Sequence, residues 1–169
     1  IFNNKDVNGH WMCDQGRNIY KFVNRDNRWS KAKKRTAGGS WEEMMPGAAA
    51  KDVASVIKAS GAKTAVVMTG QYTVEEYEAA LKHFVQDVGT KQVFHWVNNK
   101  ATFDSFDGIL LRGDRNPNTV GLLQAMEKHG IKSTWSELEN GLKNGQIQTV
   151  VVCGPEDQVW SSEMKQVID

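Results

Sequence analysis

"TAVVMTGQYTVEEYEAALKHFVQDVGTKQVFHWV", residues 64–97, decides how this chain is read. Thr64–Met68 is a short apolar run between polar residues, the pattern of a strand covered on both faces. "TGQYT" ends the run. Thr73 and Glu76 then stand in capping-box relation, a hydroxyl at the N-cap and a carboxylate three residues on. Behind them Tyr77, Ala80, Leu81, Phe84, Val85 and Val88 recur at the spacing of one helical face. Gly89 closes that helix, and "QVFHWV" (92–97) is a second strand. Strand, helix and strand in this order predict a βαβ unit with parallel strands.

Working outward, the same alternation continues. "GILL" (108–111) is a third strand candidate, followed by the loop "RGDRNPN". Pro117 suits the first turn of a helix running to Lys128, with Gly130 at its end. Thr134 and Glu137 form another capping box, for a helix using Trp135, Leu138 and Leu142 that stops at Gly145. "IQTVVVCG" (147–154) is the fourth strand. Toward the N-terminus, a helix through Val53, Val56 and Ile57 stops at Gly61, with Pro46 and Gly47 interrupting ahead of it. Ser40-Trp41-Glu42-Glu43 has the capping-box form of a helix start. The expected fold class is α/β: a Rossmann-like, three-layer α/β/α domain over 40–169 with a mostly parallel sheet.

Residues 1–39 differ. They show no sustained helical period, are dense in Asn, Arg, Lys and aromatics, and close on "TAGGS", which reads as a linker. They hold nine Lys/Arg against three Asp/Glu, whereas 40–169 hold twelve against seventeen. The expectation is an irregular, basic N-terminal segment in a different environment from the rest. The basic stretch Lys21–Arg35, with Phe22 and Trp29 interleaved, suits an acidic neighbouring surface. Nucleic acid is the weaker alternative, because no DNA- or RNA-binding module is recognisable.

Several function classes find no support. No G-x-G-x-x-G follows a strand and no Walker A is present. No apolar run could span a bilayer, and "IFNNKDVNGH" lacks the basic start and apolar middle of a signal peptide. It also lacks an initiator methionine, and the chain reads as a piece of a longer one. The two cysteines, Cys13 and Cys153, stand far apart and form no disulfide framework. His10, His83, His95 and His129 fall on different elements without metal-ligand spacing. In a doubly wound sheet ligands meet the loops at the carboxyl ends of strands. That places Thr69–Tyr72, Arg112–Asn118 and Gly154–Asp157 around any crevice. "RGDRNPN" can offer main-chain amides, two guanidinium groups and a helix N-terminus to an anion. A capped, solvated turn accounts for the same residues.

The surroundings of Cys13 are more specific. "VNGHWMCDQGRNIYKFVNRDNR" resembles the segment around the fourth cluster-ligand cysteine in the molybdopterin oxidoreductase superfamily. The nearest likeness is to the large G subunit of bacterial NADH:quinone oxidoreductase, respiratory complex I. "SWEEM" resembles that family's helix start, and "FDGILLRGDRNPNTVGLL" its strand and asparagine-proline loop. "TWSELENGLKNGQIQTVVVCGPED" resembles its helix, Gly-x-Ile turn and strand. The likeness covers nearly the whole chain, with 74–107 its least diagnostic part.

The resemblance implies that Cys13 is the fourth ligand of a 4Fe–4S cluster, whose other three ligands form a C-x-x-C-x-x-x-C run upstream. Four thiolates are needed and the chain has two cysteines, so no cluster is expected in this chain alone. Molybdenum enzymes of the superfamily commonly place lysine two residues after this cysteine. Gln15 stands there instead, which favours the complex I subunit. Arg112, Gly113, Asp114 and Asn116 would then be vestiges of a nucleotide-contact loop, kept as structure. On this reading 1–39 ends a cluster domain and 40–169 is a scaffold without chemistry of its own. The parent passes electrons from NADH toward quinone, on the cytoplasmic, inner face of the cell membrane. Its partners are other complex I subunits or a second copy of the chain, with no membrane insertion. An active formate dehydrogenase-like molybdopterin enzyme and a stand-alone anion- or nucleotide-binding module stand as alternatives.

Overall fold

The computed structural model describes residues 5, 6, 9, 10, 14–22, 30–96, 108, 113, 114, 116–154 and 166. Cys13, Arg112, the "GILL" strand beyond Gly108 and 155–157 lie outside them. The chain divides into two units, Ile1–Lys51 and Asp52–Asp169.

In the first unit a short helix, α1 (Asp14–Asn18), runs into a 3-10 turn (Ile19–Phe22). Then β1 (Ala32–Arg35) pairs antiparallel with β2 (Trp41–Met44). This overturns two expectations. Ser40–Glu43 starts no helix, and "TAGGS" is a hairpin turn rather than a linker. The register sets Lys33 opposite Glu43 and Lys34 opposite Glu42. Opposite charges facing each other favour the ladder over a capping box, whose carboxylate would have no such cross-strand partner. Lys31 adds a 2.7 Å bond to Glu43, which holds that carboxyl below the usual carboxylate range. The turn closes through Thr36 N–H to Ser40 O (2.8 Å) and Gly39 N–H to Thr36 O (2.9 Å), with Gly39 at φ 81°. Pro46 does not interrupt a helix but opens one, α2 (Pro46–Ser60). A first-turn proline lacks only an N–H that would have no helical partner.

The second unit is α/β. Strand β3 (Thr64–Met68) lies between β4 (Val93–His95) and β5 (Thr149–Cys153), parallel to both, in the order β4-β3-β5. All five β3 residues are buried. One face carries Val66, Met68 and Val93 against Tyr77 and Leu81 of α3 (Val74–Lys82) and Leu122, Ala125 and Met126 of α4 (Thr119–Lys128), with Ile57 of α2 beside them. The other face carries Ala65, Val67 and Phe94, continued by Trp96, against Leu138 of α5 (Trp135–Lys143) and Ile147. Trp96 and Trp135 meet edge to face at 4.6 Å.

The other two expected capping boxes form. Thr73 N–H gives 2.8 Å to Glu76, and Glu76 N–H returns 3.3 Å to the Thr73 hydroxyl. Glu137 accepts from the N–H (2.6 Å) and hydroxyl (2.9 Å) of Thr134. The helix expected to run unbroken to Gly89 instead widens from α to π over His83–Val88 before Gly89 stops it at φ 79°. Helices α3 and α4 are tied by Glu78, which takes Lys128 at 2.9 Å and His129 at 3.0 Å. A carboxylate only accepts, so His129 Nε2 carries the proton. Lys128 and then His129 hold the Glu78 carboxyl below its usual range.

A group with a depressed folded pKa adds stability above its unfolded pKa and loses it as pH falls through the folded one. Glu78→Gln therefore destabilises the protein at neutral pH. The gap to the parent protein closes between about pH 5 and pH 3, followed by urea unfolding at each pH. Thr73→Ala costs about 1 kcal/mol at any pH in that series, from the lost N-cap acceptor.

Candidate functional site

Strand order reverses at β3. The chain leaves it for β4 on one side and later returns to β5 on the other. In open α/β sheets a crevice opens beyond the carboxyl ends of the strands at such a reversal. Here those ends lead into Thr69–Tyr72 after β3 and Gly154 after β5. Asp114, Asn116 and Asn118, just ahead of α4, sit beside the first of these.

The loop after β3 is pinned from its own helix. Tyr77 is fully buried in the apolar stripe of α3, yet its hydroxyl turns back to the loop. It donates to Thr69 O at 2.9 Å and accepts from Tyr72 N–H at 3.0 Å. Burial first of all raises the pKa of this phenol. Thr69, also buried, reaches Cys153 O across the strand ends at 3.4 Å. The loop is thereby held to β5 as well as to α3.

The asparagine-proline block locks the other side. Asn118 N–H bonds Gly70 O at 2.8 Å and its side-chain amide donates to Tyr72 O at 2.9 Å. Asn116 accepts from Gln71 at 2.9 Å. Asp114 Oδ1 receives both the N–H (3.0 Å) and side-chain amide (2.9 Å) of Asn116. Two glycines make this approach feasible. A Cβ on Gly70 would stand 2.7 Å from Asn116 Cβ and 2.8 Å from the main-chain nitrogen of Thr119; on Gly121 it would strike the folded-back Asn118 side chain. The Thr119 hydroxyl opens α4, is 3 % exposed, and finds no hydrogen-bond partner among the described residues.

Of the expected site residues, Gly113, Asp114 and Asn116 lie at this loop, Gly113 buried and the other two half-buried. Thr69–Tyr72 and Asn118 join them as the reversal of strand order implies. His95 ends β4 in register with Met68, which is itself in register with Cys153 of β5. Burial lowers the His95 pKa, opposed by the charge of Asp114. Burial raises that of Cys153. Sequence reasoning missed the Tyr77 hydroxyl and the buried Thr119 hydroxyl, which has no partner among the described residues. A tyrosine, not phenylalanine, at a core stripe position was the signal for the first, because a buried phenol seeks a partner. No group of three or more His, Cys, Asp or Glu suited to a metal occurs among the described residues.

Tyr77→Phe strips Thr69 O and Tyr72 N–H of their partner and costs about 1–3 kcal/mol, read by urea unfolding. Gly70→Ala separates the loop from α4: the amide resonances of Asn116, Asn118 and Thr119 shift in nitrogen–proton correlation spectra, while those of β4 stay in place. Comparison with protein families, curated proteins and solved structures finds no match to this chain.

Proposed function

We propose that this chain is a scaffold portion of an electron-transfer protein of the molybdopterin oxidoreductase superfamily, of the kind found in the G subunit of NADH:quinone oxidoreductase. Its second unit serves as a Rossmann-like support that holds no nucleotide. The observation that carries this reading is the use made of the polar block before α4. Asp114, Asn116 and Asn118 direct their side chains to one another and to the loop after β3. A loop that recognised a nucleotide would keep such groups for the ligand, since each buried polar group left unmatched costs free energy. Gln15 in place of a lysine points the same way, as a neutral amide brings no charge to a pterin.

The iron–sulfur cluster of that family does not fit this chain on its own. Four thiolates hold such a cluster, and the chain has two cysteines in all. One of them, Cys153, ends a strand of the second unit, packed against its apolar cluster. Cys13 would act as one ligand of a site completed elsewhere in a longer polypeptide. No helix among the described residues is long and apolar enough to cross a membrane, and attachment to a membrane complex would go through other subunits.

The reading frame upstream of Ile1 tests this reading directly. It is expected to encode a C-x-x-C-x-x-x-C run. The polypeptide carrying both, reconstituted anaerobically with iron and sulfide, should hold a 4Fe–4S cluster that Cys13→Ala abolishes and Cys153→Ala leaves intact. Calorimetry of the chain itself with the pterin cofactor or guanine nucleotide should show no submicromolar binding. Such binding would instead establish an active molybdopterin enzyme or a nucleotide module.

A further inference from the structure

At the amino end of β4, on the face that α5 covers, a cavity of about 310 Å³ lies between strand and helix. That volume is at the lower end of small-ligand sites, roughly 300–1,000 Å³, where a few placed polar groups fix orientation. Phe94 and Gly141, both buried, form its floor. A Cβ on Gly141 would stand 2.6 Å from the Ile147 side chain, so the helix comes this close to the sheet only with glycine there.

The walls are polar, and the bonds they already make decide what they still offer. Gln92 Nε2 donates to Ala62 O at 2.7 Å. Its Oε1 is turned toward Gly141, 3.9 Å from where a Cβ would stand. Ser133 donates its hydroxyl proton to Lys91 O at 3.3 Å and keeps its lone pairs. Glu137 takes both bonds from Thr134 on Oε2, at 2.6 and 2.9 Å, and Oε1 accepts none among the described residues. The main-chain N–H and then the hydroxyl of Thr134 hold this carboxyl below its usual range, so it is ionised at neutral pH. An amide oxygen, a hydroxyl oxygen and a carboxylate oxygen are thus left as acceptors. Asn140 and Gln146 stand beside them with amides that can turn either end to a ligand.

Charge points the same way as the acceptors. Glu137 is the only charged residue lining the cavity, and Lys91 and Lys132, close by in sequence, do not line it. The first turn of α5 would favour an anion, but the Glu137 carboxylate already answers that potential. A primary ammonium carries three N–H donors, no acceptor and one positive charge.

We propose that this cavity binds a small primary alkylammonium. Its N–H groups would meet Gln92 Oε1, Ser133 Oγ and Glu137 Oε1, and its carbons would lie on Phe94. The site is separate from the loop at the strand ends and independent of the role proposed for that loop.

Butylammonium chloride titrated into the full chain at pH 7, followed by nitrogen–proton correlation spectra, tests the proposal against sodium chloride at equal ionic strength. Saturable shifts are expected at Ser133 and Gly141 and at the side-chain amides of Gln92, Asn140 and Gln146. Butanol and butyrate, the neutral and anionic counterparts, should bind more weakly. Glu137→Gln keeps the helix cap, because glutamine also serves at that position. It should weaken butylammonium binding by roughly two- to fivefold, the range of one exposed charge pair. Asn140→Asp adds a second carboxylate and should strengthen it, and neither variant should change the response to butanol. The absence of saturable shifts at these residues would overturn the proposal. So would equal affinities for butylammonium and butanol, or charge variants that bind as the parent does.

Discussion

Strand β3 gives its main-chain groups to β4 on one side and β5 on the other, and all five of its side chains are out of water. The rest of the second unit depends on that constraint. A strand paired on both edges and apolar on both faces needs cover above and below. The cover on one face comes from α3 and α4, and on the other from α5. Once β3 is central, its neighbours must run parallel, because helical crossovers rather than hairpins join them. Even the polar residues flanking it are recruited. Thr90 donates to Thr64 O at 2.8 Å, and Gln92 reaches Ala62 O at 2.7 Å.

Where local chemistry and burial pointed the same way, the sequence was legible. "TAVVM" could be read as a doubly covered strand because no alternation of polar residues competes with that reading. Thr73–Glu76 and Thr134–Glu137 could be read as caps because each precedes an amphipathic run. Ser40–Glu43 has the same local signature, yet Trp41–Met44 forms a strand. What decided it was Lys33 and Lys34 across the hairpin, partners set by pairing rather than by neighbouring sequence. Pro46 was read as a break for a related reason, since proline's effect depends on whether it falls first or later in a helix. The π turn over His83–Val88 carries no sequence mark of its own: the apolar spacing there fits α.

The candidate site was legible as a place and not as a set of bonds. The rule that ligands meet the loops at the carboxyl ends of strands pointed to Thr69–Tyr72, 112–118 and 154–157 without any motif. It could not say that Asn118 would fold over its own helix, because that depends on Gly121 leaving room. Nor could periodicity separate the two duties of Tyr77, whose ring belongs to the core while its hydroxyl fixes the loop.

The bonds at that loop bear on what the site can still do. Four polar side chains there, Gln71, Asp114, Asn116 and Asn118, have mutual or main-chain partners. A ligand competing for them must replace protein hydrogen bonds with its own, gaining little net free energy for each exchange. The Thr119 hydroxyl, which has no partner among the described residues, is buried against Gly70 rather than open to a crevice. The helix field at the start of α4 adds a favourable potential for an anion, but Asn118 lies over that first turn. The same asparagines that would make a good phosphate loop when pointed outward make a good clasp when pointed inward. In this chain they are pointed inward, Asn116 to Asp114 and Asn118 to the carbonyl of Tyr72.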